Sequence, residues 1–196
     1  MTFDDLKQLV MLSLREPGRA LDTLRALAPD MPSRWMALVL AVSLSTALAG
    51  LARMLFPVDT ESPVSQLIGQ PLMLASVQFT GMVIAAALMT VVGRAFRGHG
   101  TFADALLVVA WIELLLVAVQ AFQVVLALIF PISAVLMSLV AFGLLIYLTL
   151  QFTKALHGFQ NSFLVLLGFV GSVFLFAMVL SLLGVSLGYM PEVPAQ

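Results

Sequence analysis

The sequence predicts an all-α integral membrane protein, with five transmembrane helices preceded by short amphipathic cytoplasmic helices. Three observations point there. Of the 196 residues, 62% are hydrophobic and 10% charged, whereas a soluble domain is about one-quarter charged; the mean hydropathy is +1.12. Several apolar runs reach the roughly 20 residues that cross about 30 Å of hydrocarbon. None of them alternates polar with apolar residues as a barrel strand would. The net charge of −1 offers no attraction for nucleic acid. With no cysteine in the chain, disulfides, thiolate nucleophiles and thiolate metal sites are excluded together.

Residues 1–34 are polar enough to lie outside the bilayer. They lack the charged start and apolar core of a cleavable signal, so the first span is expected to act as its own insertion signal. Thr2 with Asp5 three residues later reads as a capping-box variant that starts a helix at Phe3. Phe3, Leu6, Val10 and Leu14 then share one helical face. Glu16-Pro17-Gly18 breaks this helix, and a second follows with Leu21, Leu24 and Ala28 in line. Two placements suit such a pair: lying in the headgroup region, or packing under the bundle as a polar foot.

The membrane domain covers 35–188, with spans at about 35–56, 71–92, 103–130, 132–152 and 162–187. Trp35 opens the first span, where an indole favours the interface. Ser43, Ala47 and Gly50 form a small-residue stripe suited to close helix contact. A loop with Asp59, Glu61, Pro63 and Gly69 leads to the second span, which holds Gln78 and a small pair, Gly81 and Ala85. Next comes the cationic turn Arg94-Ala95-Phe96-Arg97-Gly98-His99-Gly100, and Thr101 with Asp104 repeats the capping spacing. The third helix, from Phe102, would be about 43 Å long at 1.5 Å per residue, so it is expected to tilt or to begin in the interface. Pro131 turns the chain into the fourth span, and Lys154, His157 and Gly158 form the next short turn. The fifth span carries Ala177, Ser181, Gly184 and, at its end, Gly188, a second small-residue stripe, and 189–196 is a short tail on the far side. No internal similarity supports an inverted-repeat transporter.

Five spans put the termini on opposite sides. Lys7, Arg15, Arg19, Arg25, Arg34, Arg94, Arg97 and Lys154 fall on the side of the N-terminus, and only Arg53 on the other. This bias places the N-terminus in the cytoplasm and the C-terminus across the membrane.

The segments L-R-E-P-G-R-A-L before the first span, G-R-A-F-R-G-H-G-T-F-A-D-A-L between the second and third, and L-H-G-F before the last resemble the Yip family. These are integral membrane proteins named for interaction with Ypt/Rab GTPases, and the chain looks most like the bacterial members. The resemblance covers essentially the whole membrane region and implies five spans, a cytoplasmic N-terminus and no established catalysis. In a bacterial host the location would be the inner (cytoplasmic) membrane. Eukaryotic relatives act in vesicle traffic and the shaping of early secretory membranes. The Rab connection does not carry over, because a bacterium lacks Rab proteins and the cytoplasmic segment here is only about 34 residues. Fold-level analogy is then what remains.

Glu113 is the one acid deep in an apolar segment, about 12 Å into the bilayer counted from Ala105. An ionised acid there costs roughly 2.5–3.5 kcal/mol on insertion scales, so it should face the bundle interior, protonated or paired. Gln120 lies seven residues on, on the same face, with Gln123 beside it. Depth counting matches Gln78 with Gln120, Arg53 with Gln123, and Tyr147 with Glu113. Three readings stand side by side: interhelical hydrogen-bond glue, docking to another protein's span, or a proton, solute or headgroup pathway. Arg94, Arg97 and Arg34 are candidates for contact with anionic lipid, against the plainer reading that the charges set topology. His99 and His157 without acids at ligand spacing argue against a metal site. No G-K-[ST] follows the glycine-rich turn, and G-x-S-x-G, H-E-x-x-H and paired intramembrane acids are absent.

The expected function is therefore a non-enzymatic membrane scaffold or accessory protein without cofactors. Its partners would be membrane lipids and another integral membrane protein or complex, met through the small-residue faces. The alternative is a small-solute, proton-linked or lipid transporter using Glu113 and Gln120.

Overall fold

The structure, a computed structural model, describes residues 2–28, 30–57 and 70–186. Its regular elements are helices throughout: α1 (Phe3–Arg15), α2 (Pro17–Leu27), α3 (Met31–Leu55), α4 (Pro71–Ala95), α5 (Phe102–Ile129), α6 (Ser133–His157) and α7 (Ser162–Ser186). The four helices α3 to α6 are long and apolar enough to cross a membrane. The chain is an all-helical integral membrane protein. The loop residues Asp59, Glu61, Pro63 and Gly69 and the 189–196 tail lie outside the described residues.

The long third apolar run becomes the central helix. α5 packs against α3, α4 and α6, and Ala105, Leu106, Leu107, Val108, Ala110, Trp111 and Ile112 are all buried along it. α3 meets α5 with Leu38, Ala41, Val42 and Ser45, whose spacing of three and four keeps them on one face. Ser43 and Ala47 lie on the opposite face and are exposed, with Gly50 half-buried beyond them. Packing is densest at the end of the bundle that holds Arg25, Arg34 and the 94–100 turn, the basic end. Toward the other end Phe122, Val125, Ile129, Val135 and Leu139 stand open, as side chains do when the solvent is hydrocarbon.

The N-terminal helices pack onto this bundle. The capping box forms as the spacing predicts: Thr2 N–H donates to Asp5 Oδ2 (2.7 Å) and Asp5 N–H to Thr2 Oγ1 (3.2 Å). Pro17 sits at the start of α2, where a missing N–H does no harm. α2 buries Ala20, Leu21 and Leu24 and lies against α6 and α5. α1 departs from expectation. Its buried face is Leu9 and Ser13, while Phe3, Leu6 and Leu14 remain 81%, 40% and 36% exposed. The reason is a hydrogen bond: Trp111 Nε1 on α5 donates to Ser13 Oγ (2.8 Å), which itself donates to Leu9 O (2.8 Å). A buried indole N–H needs an acceptor, and Ser13 turns inward to supply it. Of the apolar stripe of α1, Val10 packs against the core, while Phe3, Leu6 and Leu14 are left on the outside.

Candidate functional site

The acid of the third apolar run is held by three helices. Gln78 on α4 donates from Nε2 to Glu113 Oε1 on α5 (2.7 Å) and to Ser45 Oγ on α3 (2.9 Å). Thr46 Oγ1 donates to Gln78 Oε1 at 3.4 Å. Ser45 and Thr46 are buried, and neither stood out in the sequence, because single hydroxyls in an apolar helix are common packing residues. The spacing of three between Val42 and Ser45 on the inward face of α3 was the available signal.

The depth matches made by counting are replaced by others. Gln78 bonds Glu113 and not Gln120. Starting from that shared rung, Gln120 lies seven residues on, about 10 Å, which is level with Pro71, the first residue of α4. α5 outruns its neighbour there, so equal depth cannot be counted from helix ends. Gln123 Nε2 donates to Ala134 O and Ser138 Oγ (3.1 Å each) on α6 and not to Arg53; it ties the α5–α6 turn together, and Arg53 is exposed. Tyr147 reaches neither Glu113 nor its partners. Its hydroxyl donates to Leu14 O (2.8 Å) and fastens α1 to α6.

At the basic end, Asp104 gathers two arginines. Arg34 Nη1 donates to Asp104 Oδ1 (2.7 Å) and Arg25 Nη2 to Asp104 Oδ2 (2.9 Å). Arg34 Nε also donates to Ala28 O (3.0 Å), and the residue is 8% exposed. Arg34 is therefore removed from the set expected to face lipid headgroups, because the carboxylate in the first turn of α5 draws it inward. The hydrogen bond to Asp104 also holds the Arg25 guanidinium above its ordinary range. Thr101 Oγ1 accepts from Asp104 N–H (3.2 Å), the capping contact its spacing predicts, while the Asp104 carboxylate goes to the arginines. Arg94 and Arg97 are exposed. Among the small-residue faces, Ala177 and Ser181 on α7 are exposed. The surroundings of Gly184 and the whole of Gly188 lie outside the described residues.

The glycine-rich turn is a seat for a histidine. His157, at the end of α6, is 3% exposed. Its Nδ1 accepts from Gly100 N–H (3.1 Å), and its Nε2 lies 3.0 Å from Met89 O. A carbonyl can only accept, so Nε2 carries the proton and the ring is the neutral tautomer. A Cβ on Gly93, Gly98 or Gly100 would overlap the imidazole. The turn that brings them together closes through Gly98 N–H to Gly93 O (2.9 Å), with Arg97 at φ 63° in the left-handed position that glycine usually fills. The sequence shows the glycines and the histidine, but 57 residues separate Gly100 from His157, and no local pattern joins them.

Between α4, α5, α6 and α7 lies a cavity of about 440 Å³, within the range of about 300–1,000 Å³ of small-molecule sites. Its walls are almost wholly apolar; Gln78 and Glu113 border one end, and Phe96 and Phe159 the basic end. Compared with known protein families, the chain matches the Yip1 domain over residues 11–188. It belongs to that family. No curated protein and no solved structure matches it. In this Yip1-domain protein the matched region begins inside α1 and runs through α7, so it includes the hairpin that carries Ser13. Two of the segments that carry the resemblance, at 93–106 and 156–159, form one packing unit around His157.

Proposed function

We propose that this Yip1-domain protein is a non-enzymatic scaffold or accessory subunit. It acts through helix contacts with another integral membrane complex or with lipids. It crosses a bacterial inner membrane five times, α7 being the fifth span, with its N-terminus in the cytoplasm. One observation carries this reading: Glu113, the deep acid of α5, is engaged by Gln78 of α4, which also donates to Ser45 of α3. The polar groups inside the spans thus act as glue for the bundle, and its outward faces are left to do the work. The exposed Ser43–Ala47 stripe on α3 is such a face, since small residues let a neighbouring backbone approach closely. A photo-crosslinking residue at Ala47, with buried Ala41 as control, tests it in living cells. The expected outcome is a discrete adduct with one other membrane protein at Ala47 and none at Ala41. Adducts with lipid alone at Ala47 would sink the docking role.

A second reading, lipid or small-solute handling, is favoured by the cavity that Glu113 borders. Gln120 takes no part in the Ser45–Gln78–Glu113 bonds, so this reading rests on Glu113 and the cavity.

A further inference from the structure

We propose that the cavity holds one acyl chain of an anionic phospholipid from the leaflet at the basic end, with the lipid phosphate on Arg94 and Arg97. The inference goes beyond the scaffold reading and stands whether or not α3 docks a partner.

The cavity exists because of two residues on α4. Gly81 and Ala85, one turn apart, line it; a Cβ at Gly81 would meet nothing within 4 Å, and Ala85 is exposed. Larger side chains at these positions would close the space between α4 and α7. Nearer the basic end the two helices come together: a Cβ added at Gly168 of α7 would be in van der Waals contact with Val92 and Phe96. The result is a hollow at membrane depth that narrows toward the basic end, where Val92, Phe96 and Gly168 form part of its wall.

Its chemistry suits hydrocarbon. Most polar side chains on its wall are already engaged: Gln78 and Glu113 with each other, Thr153 with Thr149 O (2.6 Å), and Ser172 with Phe169 O (2.7 Å); the Thr149 hydroxyl adds one further polar group. Among the described residues no buried polar side-chain atom lacks a partner. A hydrophilic solute would find almost nothing to replace its water, and its desolvation would go uncompensated. A chain of methylenes needs no such partner and gains by leaving no void.

Charge selects the lipid. Phe96 lines the cavity at the basic end, and Arg94 and Arg97, two residues before it and one after, are exposed. Arg94 Nε is held by Gly100 O (3.1 Å), and the backbone of Arg97 is fixed in the left-handed turn. Two guanidiniums on a rigid turn next to Phe96, which lines the basic end of the hollow, fit a phosphate with a chain attached.

The test reconstitutes full-length protein in nanodiscs of mixed phosphatidylglycerol and phosphatidylcholine, and counts retained lipid by native mass spectrometry after transfer to mild detergent. Wild type is expected to retain one phosphatidylglycerol in preference to phosphatidylcholine. Gly81→Leu and Ala85→Phe, each filling the hollow from an open position, should lose it. The pair Arg94→Gln and Arg97→Gly should keep a lipid but lose the preference. Wild type without bound lipid would overturn the proposal. So would full retention by both cavity-filling variants, or an unchanged preference in the arginine variant.

Discussion

At the scale of single residues, the contacts that define this protein join side chains far apart in the sequence, and each makes a sharp prediction. The His157 seat is the tightest. Replacing Gly93 or Gly100 by Ala puts a methyl where the imidazole lies, and overpacking of this kind costs about 1–3 kcal/mol. The loss should nearly vanish when His157→Ala is combined with it, because the space is then free. Thermal unfolding in detergent of the four members of that cycle reads the coupling; equal losses with and without His157 would reject the seat. Glu113 separates by chemistry. Glu113→Gln keeps an oxygen to accept from Gln78 and should unfold near the wild-type temperature, whereas Glu113→Leu strands that donor and should lose about 0.6–2 kcal/mol. If Leu proves as stable as Gln, the bond to Gln78 is not holding the helices.

At the scale of elements, the hairpin of α1 and α2 is latched at both ends, by Ser13 and Leu14 to Trp111 and Tyr147 and by Arg25 to Asp104. Asp104 is the decisive latch, since Arg34 is buried against it. Removing one partner of a buried pair costs about 3–5 kcal/mol. Asp104→Ala should therefore loosen the hairpin, seen as faster trypsin cleavage at Arg15, Arg19 and Arg25 in membranes; unchanged cleavage would mean the hairpin is held without the ion network. Raising the pH should not release it through Arg25. A cation held above its ordinary value stays bound until pH passes that raised value, far beyond any working range. The elements themselves were legible in the sequence, because their signals are local: Thr2 with Asp5, Pro71 and Thr101 mark starts, and Leu21 and Leu24 mark the buried face of α2. The site was legible only as residue types. Glu113 and Gln78 stand out as polar in apolar runs, but their pairing depends on how far α5 slides past α4, which no single segment encodes. Ser13 could not be assigned inward either, because its partner Trp111 lies 98 residues away.

At the scale of the whole molecule, the crowding of basic residues at one end of the bundle predicts its arrangement in the bilayer. Eight of the nine lysines and arginines precede α3, stand in its first turn (Arg34) or lie at the α4–α5 and α6–α7 ends, and such residues resist translocation. The chain has no cysteine, so single cysteines report their side without interference. His99 and Pro57 are exposed at opposite ends of the bundle. His99→Cys should react with a membrane-impermeant maleimide only after the cells are permeabilised, whereas Pro57→Cys should react in intact cells. The reverse pattern would invert the orientation and move Arg94 and Arg97 away from the cytoplasmic leaflet. Ala195→Cys then decides whether α7 crosses. Its 25 residues make about 37 Å of helix, enough for about 30 Å of hydrocarbon, so labelling in intact cells is expected. Labelling that instead follows His99→Cys would leave four crossings and return the chain after α7 to the basic side.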